Sequence, residues 1–383
     1  MSEYCSCDLE KERVQKKRKH QPIVWKNNDT KIPPPPFDKN ANDKEYILTN
    51  GLVIKQIMKH SNYLYDHYEC SNISSLDDIL SLCDFYYSDN CNKNNTSNIN
   101  FNMITRIAPH VYELNRMIGM EQVKKQILSL ILFFMQSLDD YNQDMLHSVI
   151  YGNPGVGKTR LINLISYLFA TLGITETAKV TFVKRADLIG QYLGQTAIKT
   201  KKVLDEARGG VLVIDECYSL GDAEQRDSFS RESIDTINQY LSECKRDLIC
   251  IIAGYKEDLE NRFFKTNPGL KRRFAFHYEI PDYNAEQLRC IFLQHVKMYG
   301  WELETDAAPL SFFEENFIHF EHNGGSLELL FTKAKYEHAR RVFSGFAHER
   351  KILTYEDMEM GMQKFLENNG KKLKNEIPFM MYT

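Results

Sequence analysis

No stretch of this 383-residue chain constrains its fold as much as Gly152-Asn153-Pro154-Gly155-Val156-Gly157-Lys158-Thr159. It fits G-x-x-x-x-G-K-[ST], a pattern whose glycines let the main chain curl around a phosphate and aim N–H groups at it. The flanks suit that geometry. The β-branched run Val149 to Tyr151 precedes it and an amphipathic stretch, Arg160 to Leu172, follows. The loop therefore joins a strand to a helix whose positive N-terminal end faces the anion. The candidate nucleotide contacts run from Gly152 through Arg160. Lys158 is placed to reach the β- and γ-phosphates of ATP and Thr159 to ligate Mg2+.

Downstream, Gly209-Gly210-Val211-Leu212-Val213-Ile214-Asp215-Glu216 reads as a buried strand ending in two acids. Acids at the end of an all-apolar strand emerge at the carboxyl edge of a sheet, where ligands of α/β folds bind. Asp215 is placed to hold Mg2+ through water. Glu216 is placed to orient or deprotonate the attacking water, which points to hydrolysis and not simply to nucleotide storage.

Apolar β-type runs at Ser148 to Tyr151, Ala178 to Val183, Val211 to Ile214 and Leu248 to Ala253 alternate with amphipathic stretches. This alternation predicts an α/β fold, a parallel sheet with helices on both faces. After Pro281-Asp282-Tyr283 the β-type runs stop. Asn284 with Gln287 is spaced as a capping box, Ser326 is expected to open a second helix, and Thr354 with Asp357 a third. The expected organisation is a flexible basic and proline-rich arm over 1–49, then a small helical segment with an asparagine-rich linker over 50–102. A nucleotide-binding domain over 103–283 and a helical lid over 284–383 complete it. Leu52, Ile54, Ile57 and Met58 recur at helical spacing, and Ser75-Leu76-Asp77-Asp78 resembles an N-cap. Seven of the thirteen residues from Asn90 to Asn102 are asparagine, which leaves that tract little to bury.

Composition narrows the function. A net charge of −4 and a pI near 6.3 argue against a protein that coats nucleic acid or an anionic membrane. The longest apolar run, Ile127 to Met135, is nine residues, against roughly 18 or more for a membrane span. The first twenty residues carry no apolar segment of a secretory signal, so none is expected. Nine cysteines without framework spacing suit a reducing compartment, the cytoplasm or the nucleus. Lys16-Lys17-Arg18-Lys19 and Pro33 to Pro36 read first as a solvated tail and a spacer.

With both nucleotide motifs in place, the chain resembles the AAA+ ATPases, and within them the CbxX/CfqX group that includes the SpoVK-like proteins. The resemblance spans about residues 107 to 383. It is carried by Met117-Ile118-Gly119-Met120-Glu121-Gln122-Val123-Lys124, Asp187 to Ala197, Gly209 to Tyr218, Glu232 to Thr236, Ile252 to Tyr255, Asn267-Pro268-Gly269-Leu270-Lys271-Arg272-Arg273-Phe274 and Pro281 to Tyr283. It implies that Ile118 and Gly119 line an adenine pocket. It also implies that Arg273, with Arg272 as runner-up, is an arginine finger acting on the neighbouring subunit's γ-phosphate in a homo-oligomeric, most simply hexameric, ring. Tyr192-Leu193-Gly194 matches the aromatic pore loop that grips a polypeptide client, and Gly221 to Ser230 a second pore-facing loop.

Two positions depart from the family pattern. The lid segment Asn323-Gly324-Gly325-Ser326-Leu327-Glu328 has glycine and glutamate where sensing arginines would stand, with Lys333 or Lys335 as candidate substitutes. Tyr255 replaces the usual polar residue after the fourth core strand. The leading expectation is a Mg2+-dependent ATPase motor that threads or remodels a protein client. The alternatives are a nucleic-acid-translocating or clamp-loading ATPase and a nucleotide-gated assembly scaffold with weak hydrolysis.

Overall fold

The computed structural model describes residues 44–47, 53–58, 66–70, 72–88, 99–139, 145–192, 194–221, 227–244, 247–343 and 350–368. The basic cluster, the proline run and most of the asparagine-rich tract lie outside these residues. The first described elements are strands: β1 (Lys44–Ile47), β2 (Val53–Met58) and β3 (Asp66–Cys70), an antiparallel sheet in that order. The helix expected around Leu52 to Met58 is thus a strand, with Ile54 opposite Tyr46 and Cys70. Short apolar runs do not distinguish helix from strand by spacing alone, and β-branched Val53, Ile54 and Ile57 favour the pleated form.

Helix α1 (Leu76–Tyr87) opens on Ser75 as expected. Its Oγ accepts from Asp78 N at 3.2 Å, and Asp78 Oδ2 accepts from Ser75 N at 2.9 Å. Helix α2 (Phe101–Asn115) starts inside the asparagine tract, because Asn100 caps it by accepting from Met103 N at 3.0 Å. Helix α3 (Glu121–Met135) follows.

The central sheet contains β4 (His147–Tyr151), β5 (Val180–Val183), β6 (Val211–Ile214), β7 (Ile249–Gly254) and β8 (Phe274–Glu279), all parallel in the order β5-β6-β7-β4-β8. Between them run α4 (Lys158–Thr171), α5 (Thr196–Glu206) and α6 (Ser228–Glu243). Every residue of β4, β6 and β7 is buried, as expected for a sheet covered on both faces. Alternate residues of β7 face different cores. Ile249, Ile251 and Ala253 pack with Val123 and Ile127 of α3 and Leu161 and Ile165 of α4, whereas Cys250 and Ile252 pack with Leu204 of α5 and Ile234 and Leu241 of α6. The four expected strands are present, and β8 is a fifth beside β4.

Because β4 is flanked by β7 and β8, the strand order reverses beside it. That is the switch point where α/β sheets open a crevice at their carboxyl ends.

The C-terminal part comprises α7 (Ala285–Met298), β9 (Glu302–Leu303), α8 (Leu310–Glu315), α9 (Asn323–Val342), β10 (Ile352–Leu353) and α10 (Tyr355–Asn368). Asn284 and Gln287 form the expected capping box. The parallel β9–β10 pair was not expected. Helix α9 begins at Asn323, three residues before the expected Ser326, whose Oγ instead accepts from His322 N at 3.1 Å. Glycines are poor helix formers, so the pair Gly324–Gly325 reads locally as loop. Contact with the rest of the chain overrides that preference. Among the described residues no helix is long and apolar enough to cross a membrane.

Candidate active site

The loop between β4 and α4 has the curled main chain its glycines permit, with φ of +75° at Gly155 and +92° at Gly157. Lys158 Nζ lies back over the loop, donating to Gly152 O at 2.8 Å and Asn153 O at 2.9 Å. Burial lowers its pKa, an effect that the charges of Asp215 and Glu216 oppose without cancelling. Thr159 is exposed at the mouth of the loop. Arg160 Nη2 is paired with Glu113 of α2 at 3.0 Å.

Asp215 and Glu216 follow β6, two strands from β4. Asp215 N is fixed by Val183 O at 3.2 Å, and its Oδ1 accepts from Glu216 N at 3.0 Å. Glu216 adopts φ 50° and ψ 41°, a left-handed backbone that costs a non-glycine residue roughly 1–2 kcal/mol. Such strain clusters at functional sites. The signal missed in sequence is aromatic: Lys158 Nζ stands 5.9 Å from the centroid of the Tyr255 ring, whose other neighbour is Tyr218 at 5.6 Å. At the position where a polar side chain was expected, this chain presents a ring to the cation.

Ile118 and Gly119 lie in the turn between α2 and α3. A Cβ on Gly119, whose φ is +68°, would approach Gln287 Nε2 at 3.1 Å and Tyr283 Cε1 at 3.5 Å. Methyls of Met120 and Met117 lie 3.4 and 3.5 Å from the corresponding point on Gly157. This turn, the phosphate loop and the start of the lid therefore converge.

Two candidate groups stand elsewhere. Arg273 donates Nε to Ser242 Oγ at 2.7 Å and Nη1 to Gly269 O at 2.6 Å, while Arg272 is exposed. Phe274 pairs with His147 at the first residue of β4, so Arg273 sits at the amino edge of the sheet. The four steps from His147 to Tyr151 place that edge about 13 Å from the phosphate-loop edge. Tyr192 is 68% exposed. Its loop is pinched at the base, where Gly190 N donates to Thr196 Oγ1 at 3.1 Å and a Cβ on Gly190 would lie 2.7 Å from Gln195 Cβ. Gly194 has φ +80° with open space around its Cβ position. Leu193 lies outside the described residues, as do 222–226 of the second loop. Asp227 caps α6 and pairs with Arg185 at 2.5 Å, so Ser228 to Ser230, expected in that loop, form the first turn of the helix instead.

Among the described residues no group of three or more His, Cys, Asp or Glu is arranged to hold a metal unaided. That suits Mg2+, which retains water and uses one or two protein oxygens plus substrate phosphates.

A phosphate loop at the switch point of a five-stranded parallel sheet, an acid pair at the end of β6 and a helical C-terminal region define an AAA+ P-loop ATPase. The family model described as "ATPase family associated with various cellular activities (AAA)" matches residues 148–282. A putative cfxQ-like protein of Acanthamoeba polyphaga mimivirus is 34% identical over 310 residues, 80% of this chain and 76% of that protein. A CfxQ homolog of Galdieria sulphuraria is 32% identical over 286 residues (71% and 92%), and protein CbbX of Cereibacter sphaeroides is 36% identical over 244 residues (61% and 78%). The chain belongs to the CbxX/CfxQ-like family of AAA+ ATPases, and it is an ATP-binding ATPase.

Proposed function

We propose that this ATPase works as a Mg2+-dependent ring motor, most simply a hexamer, that pulls on a protein client through a central pore. The observation that carries the client reading is Tyr192. A large ring held two-thirds exposed on a loop with a pinned base is a side chain offered to something else. An aromatic face grips varied polypeptide without needing a sequence, and Gly194 lets the tip swing.

In the proposed chemistry, Lys158 and the loop N–H groups bind the β- and γ-phosphates. Thr159 and Asp215 would hold Mg2+, which supplies charge neutralisation at the phosphates when bound. Glu216 orients the attacking water and accepts its proton. Arg273, always charged and able to fork across two oxygens, serves the γ-phosphate of a neighbouring subunit. Its place at the amino edge supports action in trans, since its own phosphate loop is at the other edge.

The test is the steady-state ATPase rate titrated separately with a loosely folded polypeptide and with single- and double-stranded DNA. Stimulation by polypeptide that disappears in Tyr192→Ala is expected. Stimulation by DNA alone would overturn the client reading in favour of a nucleic-acid translocase.

A further inference from the structure

The lid lacks the arginines expected at its first turn, and the candidate lysines do not replace them. Lys335 Nζ stands over the Phe331 ring at 4.5 Å and the Tyr299 ring at 5.7 Å. Lys333 is ten residues along α9 from Asn323, about 15 Å of helix axis. What meets the phosphate loop is different. Gly324 N donates to Gly155 O at 3.1 Å, Tyr283 Oη donates to Val156 O at 2.7 Å, and Asn323 Nδ2 stands 3.5 Å from Pro154 O. These are the carbonyls of three successive peptide units. A trans peptide plane points its C=O and N–H in opposite directions. The same planes carry the N–H groups of Gly155, Val156 and Gly157, which this loop type aims at phosphate.

Side chains hold the seam. Asp282 accepts from Asn153 Nδ2 at 3.0 and 2.8 Å and from Asn323 Nδ2 at 2.9 Å. Asn323 Oδ1 accepts from Tyr283 N at 3.2 Å. That N–H can only donate, so the amide orientation of Asn323 is fixed and its nitrogen must face Asp282. Asn323 is 4% exposed and has φ 47°, which asparagine tolerates. The glycines are demanded by contact. A Cβ on Gly155 would lie 2.0 Å from His322 O, and one on Gly324 2.8 Å from Gly155 O. Gly325 is different: its Cβ position has nothing nearer than 3.9 Å, so an arginine there is not forbidden by packing.

We propose that in this chain the lid senses bound phosphate through the peptide planes of the phosphate loop, with Asn323, Asp282 and Tyr283 as positioning residues in place of a sensing arginine. Lid contacts polarise the carbonyls and orient the opposed N–H groups. Phosphate binding to those N–H groups strengthens the lid's grip in return, because coupling between two sites is reciprocal. The inference rests on the phosphate-loop reading, and its test separates the two.

The experiment uses the full chain. Nucleotide occupancy is followed with a fluorescent ATP analogue, and amide hydrogen exchange at Gly324 and Gly325 is followed with and without saturating ATP. In the wild type, ATP is expected to slow exchange at these amides. Tyr283→Phe keeps the ring and removes one donor. It should weaken nucleotide binding on the order of tenfold and shrink the ATP-induced protection. Asn323→Asp sets a carboxylate against Asp282 and should abolish that protection even at saturation. The exchange Asp282→Asn with Asn323→Asp re-forms the bond between positions 282 and 323, the bond from Tyr283 N and one bond from Asn153 Nδ2, losing the contact with Pro154 O, and should restore most of the protection. Unchanged protection in Asn323→Asp, or no rescue by the double exchange at saturating nucleotide, overturns the proposal. A wild type that binds no nucleotide sinks the phosphate-loop reading instead.

Discussion

If Arg273 serves a neighbouring subunit, two dead variants should revive each other. Lys158→Ala removes the phosphate-binding cation and Arg273→Ala removes the finger. A finger supplied in trans is worth roughly 10³- to 10⁵-fold where it has been measured for GTPases, so Arg273→Ala alone should turn over at about a thousandth of the wild-type rate or less, and Lys158→Ala should fail through loss of nucleotide binding. In a head-to-tail ring each site combines Lys158 from one subunit with Arg273 from the next. Randomly mixed one to one, roughly a quarter of the sites then hold an intact lysine facing an intact arginine. Turnover should return to about that fraction of wild type. Acting in cis is excluded by reach. An extended arginine side chain spans about 7 Å. The length of β4 alone sets the edges about 13 Å apart, and Ser242 and Gly269 tether Arg273 at its own edge. The assay is phosphate release from the mixture, with sizing of the same sample to show that mixed oligomers form. A mixture that forms mixed oligomers yet is as inactive as its parents refutes the trans arrangement. Arg272→Ala, run in parallel, identifies which arginine of the pair is the finger.

Two further outcomes follow from strain and charge. Glu216→Gly should abolish hydrolysis while raising the thermal midpoint by a degree or two, because glycine relieves a left-handed backbone worth about 1 kcal/mol; a lower midpoint by calorimetry would show that residue 216 is not strained. In the lid, Asp357 is buried, which alone would raise its pKa, yet bonds from Arg341, Thr354 N and His338 hold it below the ordinary carboxylate range. A depressed folded-state pKa gives stability that is full above about pH 4 and lost as pH falls through the folded value. Thermal melts should show this acid loss flattened in Asp357→Asn, and an unchanged slope below pH 4 would contradict it.

What the sequence displayed was what local chemistry fixes. The phosphate loop, the acid pair after β6, the N-cap at Ser75, the capping box at Asn284 and the buried strands β4, β6 and β7 each carry a pattern of residue types at short spacing. The parts it hid depend on distant contacts. Val53 to Met58 is too short for its spacing to separate helix from strand, and pairing with β1 and β3 decides it. β8 follows the arginine pair directly, and its alternation of buried Phe274 and Tyr278 with half-buried or exposed neighbours is seen only beside β4. Gly324 and Gly325 look like a loop because their helical turn is bought by contact with Gly155. Asp282 appeared only as a family signature, since its bonds to Asn153 and Asn323 span 129 and 41 positions.

The division of labour across the sheet has a consequence for regulation. At the carboxyl edge the phosphate loop meets its own Lys158, which Tyr255 overlies, and, through the loop's carbonyls, the lid. At the amino edge the chain holds Arg273, tethered by Ser242 and Gly269 away from its own phosphate loop. His147, at the start of β4, is held at a pKa of about 4, by burial first, with the charge of Arg273 adding to it. It is therefore neutral at pH 7, accepting from Cys250 N at Nδ1, and adds no positive charge beside the guanidinium. On the proposed mechanism, a subunit's lid reports its own nucleotide, whereas its turnover reports the presence and posture of its neighbour. Loosening the lid seam should change nucleotide affinity without altering the complementation between Lys158→Ala and Arg273→Ala, because the two signals leave the sheet from opposite edges.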